Sequence, residues 1–157
     1  MYQIVHGTTG ILIGSQTGNP YLAFILGLIS HFILDAIPHD SEELRDWQNK
    51  GDYIKKIAFE AMLDLFVFLV ILYSLMNFGG LELNYAVGAG VIGALLPDYI
   101  WGAAELFHIN NIVLEKYKAF HSWAHGVIHK AVYLPWYLVV PIQIGFLIIL
   151  IILILIL

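Results

Sequence analysis

The chain has 157 residues, 60% of them hydrophobic and 12% charged, with a mean hydropathy of +0.81. Soluble domains run near 45–50% apolar and about 25% charged, so this composition excludes the ordinary globular class and points to a lipid environment. The formal charge of −5 without a basic cluster excludes nucleic acid as a partner, and the lack of cysteine excludes a disulfide scaffold or a Cys-type zinc finger.

A helix crosses the hydrocarbon core with about 20 apolar residues, and about 17 suffice. The opening stretch MYQIVHGTTG has no basic n-region, which argues against a cleaved signal peptide. Residues 2–14 (YQIVHGTTGILIG) are short for a span and suit a short or re-entrant helix packed against its neighbours. Residues 20–37 (PYLAFILGLISHFILDAI) form the first full candidate, and 57–78 (IAFEAMLDLFVFLVILYSLMNF) the second. Residues 84–101 (NYAVGAGVIGALLPDYIW) are shorter and glycine-rich, and 132–157 (VYLPWYLVVPIQIGFLIILIILILIL) are the plainest candidate of all. The expectation is all-α: a polytopic membrane helical bundle with four to five transmembrane helices, forming a single integral-membrane domain over 1–157.

All seven Lys and Arg residues fall in the connections 38–56 and 102–131, while 15–19 and 79–83 carry none. Counting spans puts both basic connections on one side, which the positive-inside rule makes cytoplasmic. The ionisable residues inside the apolar runs come to that same side. They are His6, His31 and Asp35, Glu60 and Asp64, Asp98, and the pair His121 and His125.

Charge in hydrocarbon is costly, so such residues are functional candidates by default. Residues four apart share a helical face. His31 and Asp35 (with His39 one further step on), Glu60 and Asp64, and His121 and His125 all have that spacing. Histidine and carboxylate without cysteine is the donor set of zinc, manganese or iron in hydrolytic sites. A bound divalent cation would make the burial tolerable. Gly88-x-Gly90-x-x-Gly93 imitates a dinucleotide fingerprint, but no βαβ unit surrounds it. Small residues at that spacing instead let membrane helices approach closely.

His6 in VHGTTG, the Pro97-Asp98 dipeptide in GALLPD, and His121 with His125 in FHSWAHG resemble the YdjM-like group of membrane-bound metal-dependent hydrolases. The likeness covers most of residues 1–130, with Ser122 and Ala124 standing where that group usually has Arg and Thr. The helical His/Asp and His/His pairs are also similar in spacing to zinc phospholipase C and its nuclease relatives.

The leading expectation is a metal-dependent hydrolase at the cytoplasmic face of the cell membrane, acting on a lipid-derived or membrane-associated phosphoester. Its cofactor would be a divalent metal, zinc first and manganese or iron next. The expected ligands are His31, Asp35, His121 and His125, joined by His6 and Asp98, with Glu60 or Asp64 as general base. More donors than one ion needs implies a binuclear site or supporting partners. The competing expectations are a proton or metal-ion transporter or channel, and a structural or partner-binding membrane protein without catalysis.

Overall fold

The computed structural model describes residues 1–39, 53–126 and 134–157, the side chains of Tyr53 and Ile54 excepted. Arg45, Lys50 and Lys130 therefore lie outside the described residues. Among those described, all regular structure is helical. Six helices follow in order: α1 (Gln3–Thr17), α2 (Pro20–Asp35), α3 (Tyr53–Phe78), α4 (Tyr85–Leu106), α5 (Ile112–His125) and α6 (Trp136–Ile156).

Local chemistry explains where several of them start. The Asn19 side chain accepts from the Tyr21 and Leu22 amides at 3.0 and 3.1 Å, and Pro20 follows where a missing N–H costs nothing. Asn84 caps α4 in the same way (2.9 and 3.0 Å), as does Asn111 for α5 (3.1 and 2.9 Å). Gly18, at φ 60°, ends α1 in the left-handed region that glycine enters without a Cβ penalty.

Helix α1 is the centre of the packing. It touches α2, α3, α4 and α6, and its Val5 and Ile11 are fully buried. Helices α3 and α6 turn large apolar side chains outward, including Phe59, Met62, Phe66, Ile148 and Ile152. In water such surfaces would drive association; in a bilayer they are the lipid-facing coat.

Only three described helices are long and apolar enough to cross a membrane: Lys55–Phe78, Tyr85–Leu106 and Trp136–Ile156. This corrects the expected four to five. Hydropathy counted 20–37 as one apolar run, but the helix within it stops at Asp35 after 16 residues. At 1.5 Å per residue that is about 24 Å, short of the roughly 30 Å hydrocarbon core. Helix α1, with 15 residues, is shorter still and is buried by protein, in keeping with a packed non-spanning segment. The helix expected over 84–101 runs on through Pro97 to Leu106.

Close approach among α1, α2 and α4 depends on glycine. A Cβ on Gly10 or on Gly27 would lie 2.5 Å from the Gly90 carbonyl oxygen, and one on Gly93 would strike the Phe24 carbonyl. The small-residue pattern thus serves helix packing, with Gly88, beside open space, taking no part.

Candidate metal centre

Four helices converge at one end of this packed core. Helix α1 carries His6 in its first turn and α2 carries His31 and Asp35 in its last two, with His39 just beyond. Helix α4 brings Asp98 and α5 brings His121 and His125. His6, His31 and Asp35 are fully buried, while Asp98 and His125 stay about one-quarter open, at 28% and 27% side-chain exposure. The cluster is therefore enclosed by protein on one side and reachable from the other.

The donor atoms of His31, Asp35, Asp98 and His121 all lie within 4.8 Å of one another, and this group can hold a metal ion. His31 Nε2 is 3.0 Å from Asp35 Oδ2, 3.6 Å from Asp98 Oδ1 and 3.4 Å from His121 Nε2. His121 Nε2 is 3.3 Å from Asp98 Oδ1. Donors at about 2.0–2.1 Å from a tetrahedral zinc sit about 3.3–3.4 Å apart, so these spacings fit a shared ion.

The protonation pattern is informative. His31 Nδ1 lies 2.8 Å from the Ala94 carbonyl oxygen, which can only accept, so this nitrogen carries a proton. Nε2 then offers a lone pair toward two carboxylates and a second imidazole, or it takes up an additional proton. The lone-pair arrangement is repulsive unless a cation sits among the donors. Asp35 Oδ2 repeats the pattern: it is buried and makes no hydrogen bond, although two imidazole nitrogens lie within 3.1 Å. Two carboxylates and one divalent ion sum to zero charge, which offsets much of the cost of burial.

His6 stands beside this group. Its Nε2 is 3.0 Å from Asp35 Oδ1 and its ring stacks on His31, centroids 4.3 Å apart. In that position it steadies Asp35 and packs His31, a supporting role common around metal ligands. His125 turns to the other flank of Asp35, with Nε2 3.1 Å from Oδ2. There it joins Asp35 and His39 in a second group of convergent donors. The Met1 ammonium rests on Asp35 Oδ1 and lies 2.6 Å from His39 Nε2. Burial, reinforced by that ammonium, pushes the His39 imidazole down to about 3, so near neutral pH it is in the uncharged form that binds metals.

The carboxylate pair on α3 belongs to neither group. Asp64 accepts from the Ile4 amide at 3.3 Å to each oxygen and so caps α1 from a neighbouring helix. Glu60 is exposed on α3 beside Phe59. Of the two residues expected as general base, Asp64 is thus engaged with the start of α1 and Glu60 lies exposed on α3.

His39 was visible in the sequence as the third step of the series from His31 and Asp35 but was not expected as a ligand. Tyr117, one turn before His121, was not anticipated at all. Its hydroxyl donates to the Pro97 carbonyl at 2.6 Å, tying α5 to α4 next to Asp98. Burial and the charge of Asp98 push that phenol up, so it remains a donor.

No family model matches the chain, and neither a curated protein nor a solved structure matches it.

Proposed function

We propose that the chain is a membrane-embedded hydrolase in which His31, Asp35, Asp98 and His121 hold a divalent cation, zinc best suiting two imidazoles and two carboxylates. The observation that carries this reading is the convergence of four donors within 4.8 Å of one another, with His31 Nε2, its tautomer set by Ala94, 3.0–3.6 Å from the other three. The cation would supply an activated water and polarise the scissile oxygen. The protein's own residues orient the ligands, exclude lipid, and leave Asp98 and His125 accessible to a substrate.

The substrate we infer is a phosphoester presented at headgroup depth, lipid-derived or membrane-associated. The donors gather at one end of helices whose Lys and Arg neighbours favour the cytoplasmic side, so the site would face the cytoplasm of the cell membrane. The resemblance of His6, Pro97-Asp98 and the His121/His125 pair to the YdjM-like hydrolases supports the same reading. A transport path would need polar groups through the full thickness. Away from the cluster, α1, α2 and α4 instead meet backbone to backbone through Gly10, Gly27 and Gly90.

Metal analysis of the detergent-purified chain tests this directly. Wild type is expected to carry stoichiometric zinc, and His31→Ala and His121→Ala each to lose at least one equivalent. Hydrolysis of bis-p-nitrophenyl phosphate should fall by roughly 100-fold or more in both, in line with lost metal ligation. A metal-free, equally stable wild type would overturn the reading and identify His31 as a doubly protonated partner of Asp35 and Asp98.

A further inference from the structure

We propose that Asp35 is a bridging carboxylate between two cation sites, the second formed with His39 and His125. The hydrolytic use of such a pair rests on the function proposed above; the existence of the pair does not.

Two helical ladders lead to this assignment. On one, His31, Asp35 and His39 follow at intervals of four; on the other, His121 and His125 do. The structure splits each ladder between two groups, with Asp35 common to both. His31 and His121 gather with Asp98 in one group, and His39 and His125 form the other. The His39 and His125 rings lie 5.2 Å apart, and their donor atoms and that of Asp35 are all within 4.8 Å of one another.

Three features of the second group favour a cation. His39 Nδ1 is 2.6 Å from the Ile37 carbonyl oxygen, so it carries the proton and Nε2 presents a lone pair inward. This repeats the arrangement of His31 and Ala94. Asp35 Oδ2 is buried without a hydrogen bond while His31 and His125 approach it from two directions, at 3.0 and 3.1 Å. The Met1 ammonium, finally, rests against Asp35 Oδ1 and His39, so this corner already attracts positive charge. A divalent ion entering there would take over from that nitrogen.

Two ions linked by one carboxylate lie about 3.5–4 Å apart in phosphoester-cleaving enzymes, where they clamp the attacking and leaving oxygens. A metal pair of this kind would suit the phosphoester class proposed above.

The test is a metal count on the full chain in detergent, stripped with chelator, reloaded with Zn²⁺ and dialysed. Two zinc ions per chain are expected in wild type, one in His39→Ala, one in His121→Ala, and neither retained in Asp35→Ala. Circular dichroism checks each variant for helix content, and His39→Gln replaces His39→Ala if the latter unfolds. One zinc in wild type, or two retained in the His39 variant, would overturn the bridge while leaving the first site intact. No zinc in wild type would overturn both.

Discussion

Asp64, expected as a general base, makes a structural contact in the folded chain. Its partner at four residues' distance, Glu60, made a buried carboxylate pair look like acid–base machinery. In the folded chain Asp64 instead accepts from the Ile4 amide, while Tyr2 N–H donates to Gln143 Oε1 at 2.6 Å. Together they satisfy an α1 start whose own N-cap residue, Tyr2, supplies no side-chain cap. A carboxylate there also meets the positive end of the helix dipole. Asp64→Ala should lower stability by about 1–2 kcal/mol, the usual cost of a lost cap, without changing the zinc count. Chemical denaturation alongside metal analysis separates this from a catalytic role, because loss of zinc on substitution would contradict it. A cap supplied by another helix leaves no local signature, which is why the sequence did not reveal it.

Among the elements, α4 does the most to place the site. It is sealed against α1 and α2 along one face and presents Ala94 and Asp98 to the histidines one turn further on. Pro97 removes one backbone hydrogen bond in that turn without ending the helix. Gly90→Val should force the helices apart, since a Cβ there runs into the Gly10 carbonyl oxygen. Overpacking of this kind costs about 1–3 kcal/mol or more. The shift also draws Ala94 away from His31, so zinc affinity should fall together with the melting temperature. Gly88→Ala is the control: its Cβ meets nothing within 4 Å, and both quantities should be unchanged or slightly raised. Equal behaviour of the two variants would contradict the packing argument.

For the whole molecule, composition alone made the membrane class and all-helical architecture legible, because no soluble core accommodates so much apolar surface. Spacing by four made His31, Asp35 and His121 legible, and Asp98 stood out as a charge inside an apolar run; these four side chains do converge. The number of spans was not legible, since hydropathy measures how apolar a segment is and not where its helix stops. Nor could spacing tell His6, which supports Asp35, from His39, which faces inward as a donor. That distinction depends on what each ring meets: His39 Nδ1 lies on the Ile37 carbonyl oxygen, whereas His6 Nδ1 is buried without a hydrogen bond. The sorting of the histidines into two groups around Asp35 is likewise a product of how α2 and α5 cross.

On the function proposed above, a cation rather than extra protons holds these buried imidazoles and carboxylates together. Zinc K-edge absorption on the loaded, detergent-solubilised chain addresses it most directly. Nitrogen and oxygen donors at about 2.0–2.1 Å are expected, with outer-shell scattering from two imidazoles per zinc that is lost in part in His121→Ala. A hydration shell of oxygens alone, without imidazole scattering, would contradict it.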